Sequence, residues 1–119
     1  MKTLKANEKL NSIIKLVEKS GVSAPKLVDE LKALRALAIE EKDPLVVKVL
    51  RLTYEYLSEN ESFNVEGQFE EDEEGNEYPI EIEEKDNLLY LLSLLQNAAQ
   101  KVNREELQDY RDALKAELY

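Results

Sequence analysis

Apolar residues recur along this chain with two different periods, and the change of period divides it. From Leu4 to Ser20 the apolar positions Leu10, Ile13, Ile14 and Val17 follow helical spacing, and Lys5, Lys9, Lys15 and Lys19 fall mainly on the other side. Gly21 is placed to end this first helix. Ser23-Ala24-Pro25 then reads as a helix start, with Ser as cap and Pro in the first turn. The second helix carries Leu27, Leu31, Leu34 and Ala38 on one face, with Val28 and Leu37 beside them. Asp43-Pro44 repeats the cap-then-proline signal. In the run that follows, Leu45 to Leu57, many side chains favour strands, among them Val46, Val47, Val49, Thr53, Tyr54 and Tyr56. The polar stripe Lys48, Arg51, Glu55 decides for a third helix, because a strand would scatter those residues over both faces.

Between Asn60 and Lys85 the period becomes two. Phe63, Val65, Gly67 and Phe69 alternate with polar residues, as do Tyr78, Ile80 and Ile82. This pattern predicts a β-hairpin turning at Glu71–Asn76, with Pro79 on an edge strand. One face is expected to lay the aromatics and isoleucines on the helices, and the other to carry Glu66, Glu70, Glu77, Glu81 and Glu83. The apolar centre of Asp86–Lys101, Leu88-Leu89-Tyr90-Leu91-Leu92-Ser93-Leu94-Leu95, predicts a fourth helix with apolar residues on every side. Such a helix is enclosed by the rest of the chain or shared with a partner or a second copy, which leaves monomer and homodimer both open. Asn103-Arg104-Glu105-Glu106 has the form of a capping box opening a fifth helix, which faces the core with Leu107, Tyr110, Ala113, Leu114 and Leu118. The short connection at Lys101–Asn103 makes the last two helices antiparallel neighbours.

The expected fold class is therefore mainly α (α+β): a compact five-helix domain, residues 1–119, with one acidic β-hairpin between the third and fourth helices. A chain of 119 residues has the size of one domain. It contains no His and no Cys, which removes the usual neutral-pH general base and the commonest nitrogen and sulfur metal ligands. Its three Gly form no phosphate-cradling loop. No acid/base pair emerges from the spacing, so the expectation is a protein that is not an enzyme and uses no cofactor or metal. The absence of cysteine, of a signal-peptide pattern at the start and of a membrane-length apolar run leads to a cytoplasmic expectation.

The net charge of −10 is concentrated in one place. Residues 59–86 hold 13 acidic side chains and one basic one, Lys85, while the rest of the chain is close to neutral. The turn from Glu70 to Glu81 can be laid on a calcium-loop template, with acids at the first, third and fifth positions, Gly75 sixth and Glu81 twelfth. It departs from that template at Glu70, at Glu77, and in its strand-like flank. The order of three helices and a hairpin resembles a winged helix in element order alone. In that arrangement the third helix would offer only Lys48 and Arg51, and the wing would repel phosphates, so direct nucleic-acid binding is not expected. What remains is a small protein-binding or adaptor domain. Its alternative form is an acidic inhibitor or nucleic-acid mimic that binds a basic protein through Glu66, Glu70, Glu71, Asp72, Glu73, Glu74, Glu77 and Glu81. A bland role for the same acids, shielding hairpin edges from other chains, competes with it. Crowding of Glu70–Glu74 is expected to raise their pKa values, so that mild acidification would stabilise the fold.

Overall fold

In the computed structural model, which describes all residues from Met1 to Tyr119, five helices and one hairpin follow in the order α1 (Leu4–Ser20), α2 (Leu27–Glu40), α3 (Pro44–Asn60), β1 (Phe69–Glu71), β2 (Glu77–Pro79), α4 (Glu84–Gln96) and α5 (Lys101–Leu118). The helices form a closed ring of neighbours, α1 on α2, α2 on α3, α3 on α5, α5 on α4, and α4 back on α1. Their apolar stripes meet in one core of 26 buried residues. No helix is long and apolar enough to cross a membrane.

Local chemistry sets most of the boundaries. Thr3 caps α1 by accepting from the Ala6 N–H at 3.2 Å, and Gly21, at φ 75°, ends the helix where a residue with a Cβ would be strained. Asp43 caps α3 through the Val46 N–H, with Pro44 at the first helical position. The same Asp43 carboxylate receives both guanidinium nitrogens of Arg104, at 2.9 and 3.1 Å, which ties the α2–α3 turn to the start of α5. That pairing, with the Val46 N–H, holds the Asp43 carboxyl below the usual range.

Two helix starts differ from the sequence expectation. Ser23-Ala24-Pro25 does not open α2; it belongs to a turn that places Ala24 and Leu27 in the core, and Lys26 enters the helix from the left-handed region. Asn103 does not cap α5, which begins at Lys101 after Gln100. The Asn103 amide donates instead to the Asn97 carbonyl at 3.0 Å, closing the tight turn 97–100 that ends α4 five residues before the expected Lys101.

The leucine helix is covered in an unexpected way. Leu88, Leu91, Leu92, Leu94 and Leu95 are buried, while Leu89 and Tyr90 are only partly so and Ser93 is exposed. α1 and α5 flank the helix, and the extended segment 63–67 is tied to its beginning. Within that segment Phe63, Val65 and Gly67 are buried but form no strand. Asn87, itself buried near the start of α4, donates to the Phe63 and Val65 carbonyls at 3.3 and 2.8 Å. Its Oδ1 accepts from the Tyr110 hydroxyl at 2.6 Å, and that hydroxyl accepts from Gln68 Nε2 at 3.0 Å. Phe63 stacks on Tyr110 with centroids 6.5 Å apart and meets Tyr56 edge-on at 5.9 Å.

Candidate functional site

The hairpin begins where this anchored segment leaves the core. Its loop is Glu73-Glu74-Gly75, closed by Asp72 N–H to Asn76 O at 3.0 Å and Gly75 N–H to Asp72 O at 3.1 Å. Gly75 takes φ 85°, the left-handed position such a three-residue loop needs. The Asp72 carboxylate accepts from the Glu74 N–H, the Asn76 N–H and the Asn76 side-chain amide. The bonds from Asn76, foremost that of its backbone N–H, hold the Asp72 carboxyl below its ordinary value even though it is exposed. Asp72 is thus a turn-forming residue. The expectation that crowding raises the carboxyls of residues 70–74 is contradicted at Asp72, whose carboxyl is lowered by the hydrogen bonds of the turn.

The register overturns the expected division into one apolar and one acidic face. Phe69 opposes Pro79, Glu70 opposes Tyr78 and Glu71 opposes Glu77. Residues directly opposite one another share a face, so Tyr78 lies with Glu70, while Phe69 and Pro79 lie with Glu71 and Glu77. The aromatic ring of β1, Phe69, is odd-numbered and that of β2, Tyr78, even-numbered, and this register pairs odd with odd. No single face can collect them. Accordingly Phe69 is 45% exposed and Tyr78 42% exposed. The acids are divided in the same way: Glu70 sits on one face, Glu71 and Glu77 on the other, and Glu73 and Glu74 at the tip. Glu66 lies outside the strands in the segment before β1, and Glu81 in the segment after β2; both line one cleft of about 390 Å³ with Val65, Pro79, Ile80 and Ile82.

The negative charge of this arm is not neutralised within the chain. The four ion pairs are Lys9–Glu30, Arg51–Glu55, Arg104–Asp43 and Arg111–Asp112, all outside residues 59–86. The field extends onto α5, where Asp109 is raised by partial desolvation and then by Asp112, Glu77, Glu106 and Glu105. Helical spacing alone did not single out Asp109, because its relation to Glu77 exists only once the hairpin folds beside α5. No three acidic side chains converge as metal ligands would, and two oxygens of the calcium-loop template belong to Asp72 and are engaged in the turn. A separate cleft of about 200 Å³ lies among Met1, Glu41, Asp43 and the α4–α5 turn. Its carboxylates are already bonded, Glu41 to the Lys2 and Thr3 N–H groups and Asp43 to Arg104.

Fold and surface together define a class: a mainly helical α+β domain carrying an exposed, acid-rich two-stranded arm. Neither family models, nor characterised proteins, nor solved structures give a match to this chain.

Proposed function

We propose that this is a non-catalytic intracellular binding protein whose acidic arm engages a basic protein. The observation that carries this reading is that the arm has both unneutralised carboxylates and unburied aromatics: residues 59–86 contribute no ion pair, and Phe69 and Tyr78 stand exposed among the acids. A hairpin whose only role was solubility would have no use for two exposed rings. Aromatics surrounded by charge are the composition of protein interfaces, where the rings supply contact area and the charges steer encounter. The competing surface, the leucine helix, has its main apolar side chains buried within the chain. A close imitation of a phosphate ladder is less favoured than general attraction to a basic surface, because the carboxylates are divided between two faces.

The test is affinity capture from nuclease-treated lysate of the source cells at low and high salt. The natural protein is compared with a variant carrying Glu70→Gln, Glu71→Gln, Glu73→Gln, Glu74→Gln and Glu77→Gln, in which Asp72 is kept so that the turn survives. A basic partner lost both at high salt and with the variant supports the arm. A partner retained in every condition moves the function to another surface.

A further inference from the structure

The buried side-chain polar atoms without a hydrogen-bond partner are two guanidinium nitrogens, Arg35 Nε on α2 and Arg51 Nε on α3. Their surroundings follow from how the two helices pack. A short turn joins α2 to α3 and makes them antiparallel neighbours. Glu30 pairs with Lys9 and so marks the side of α2 that faces α1. The opposite flank, spaced at i, i+4, i+7 and i+11, is Val28, Lys32, Arg35 and Ile39, and it contains no acid. Lys32 Nζ lies 5.5 Å from the centroid of the Tyr54 ring, and Val28 and Ser58 border the same hollow, so this flank faces α3. One turn along from the Lys32–Tyr54 contact, antiparallel packing sets Arg35 opposite Arg51.

Two arginines thus share one groove with Lys32 beside them. Arg35 enters no ion pair, and Arg51 Nε stands 3.7 Å from Glu55 Oε1, beyond hydrogen-bonding distance. Glu55 accepts at its other oxygen from the Tyr119 hydroxyl at 3.2 Å. Glu59, the other acid at the hollow, lies about two helical turns beyond Arg51. Donors shut away from water and left unpaired cost free energy, and like charges side by side add to that cost. An anion in the groove relieves both, once the outer part of either half-buried arginine turns to meet it. Lys32, Arg35 and Arg51 set against Glu55 leave two positive charges unbalanced. A single carboxylate answers half of that. A phosphate group, at about −1.5 to −2 near pH 7, answers nearly all of it, and its oxygens suit the fork of each guanidinium.

We infer that the α2–α3 groove at Lys32, Arg35 and Arg51 binds a phosphate group, carried either by a small molecule or by a phosphorylated protein. No residue of the acidic arm takes part, so this site stands or falls apart from the proposed attraction to a basic protein.

The experiment titrates the intact protein with inorganic phosphate against chloride at constant ionic strength, following arginine Nε–H and backbone amide signals by NMR. Four variants with the same loss of charge are compared: Arg35→Gln, Arg51→Gln and Lys32→Gln in the groove, and Lys15→Gln on the exposed side of α1. Thermal melts confirm that each variant folds, and Lys32, being exposed, keeps the test open where an arginine variant does not fold. Saturable shifts at the Nε–H groups of Arg35 and Arg51 are expected in the natural protein. The dissociation constant should rise about tenfold in Arg35→Gln and Arg51→Gln, the scale of one charge-assisted contact, severalfold in Lys32→Gln, and less than twofold in Lys15→Gln. A second titration uses a neutral peptide bearing one phosphoserine, with its unphosphorylated form as blank. Tighter binding of that peptide than of free phosphate assigns the group to a modified protein, and the reverse assigns it to a small molecule. Equal rises in all variants, or shifts spread over lysines outside the groove, overturn the site. Absence of saturation with both phosphate and the phosphopeptide overturns it as well.

Discussion

Gly67 shows how tightly single residues are constrained beneath the arm. A Cβ built there would lie 2.4 Å from Tyr110 Cδ1 and 2.5 Å from Cε1, in a ring held on one side by Phe63 and at its hydroxyl by Asn87 and Gln68. The ring cannot retreat without breaking those contacts. Gly67→Ala is therefore expected to cost about 1–3 kcal/mol, the range for overpacking a well-filled site. Urea denaturation checks this, and an unchanged midpoint would mean that Tyr110 is free to move. The tyrosines give a second prediction at this scale. Desolvation, followed by the bond to Glu106 at 2.5 Å, pushes the Tyr90 hydroxyl up to about 12, and burial raises Tyr110 above the ordinary tyrosine value. The folded chain thus keeps protons that the unfolded chain releases from pH 10.0 upward. The stability contributed by these groups is complete below that pH and is lost as pH rises through the folded values. Ultraviolet titration should show two of the six tyrosines ionising late, with unfolding accompanying the last of them.

Among the elements, the hairpin is the one held together by least. Its strands are three residues each, every one of those residues is exposed, and Glu71 faces Glu77 directly, a like-charge pair that weakens the ribbon. What closes it is Asp72. Because hydrogen bonds lower that carboxyl, the stability it contributes is present above the ordinary value of 3.8 and is lost as pH falls through the lowered one. Amide exchange at Glu74 and Asn76 should accelerate below about pH 4, ahead of the helical core, because their N–H groups lose an ionised acceptor. In Asp72→Ala the same amides should exchange fast at neutral pH while the helices stay protected. Equal protection in the two proteins would show that Gly75 and the backbone bonds suffice for the turn.

For the molecule as a whole, charge is the unbalanced quantity. A net −10, most of it on an arm without internal ion pairs, opposes compaction, and salt relieves that opposition. Raising ionic strength from about 0.01 to 0.15 M shortens the screening length from about 30 to 8 Å. The melting temperature at pH 7 should rise by a few degrees, the response to about 1 kcal/mol in a chain of this size. The five-residue Glu→Gln variant should melt higher than the natural protein at low salt and respond less to added salt. Equal responses would place the repulsion outside the arm. Acid acts differently from salt. Protonating Asp109, raised by desolvation and its acidic neighbours, favours the fold, whereas protonating Asp43 and Asp72, both lowered by their hydrogen bonds, works against it. Acidification well below pH 4 is accordingly expected to destabilise the protein, measured as a falling melting temperature.

The five helices, their order and the hairpin between the third and fourth were legible from periodicity, because helix and strand patterning is a local property that burial of one face imposes on every turn. Gly21 at the end of α1 and the Asp43-Pro44 start of α3 belong to the same local chemistry, and so does Gly75 in its loop; the Thr3 cap was not read from the sequence. The starts of α2 and α5 were misplaced because Ser23 and Asn103 carry cap-forming side chains whose use depends on what surrounds them. Ala24 had a core to enter, and Asn103 had the Asn97 carbonyl to bind. The acidity of residues 59–86 is a matter of composition alone. Which acids share a face is not, because a loop one residue longer or shorter would have placed Phe69 and Tyr78 together and given the ribbon an apolar side. Only the tertiary structure decided that the segment 63–67, rather than the paired strands, is buried between Asn87 and Tyr110, and that Glu66 and Glu81 line one cleft. Those relations join residues far apart in the chain through a register and a buried Asn87, and local spacing carries no record of either.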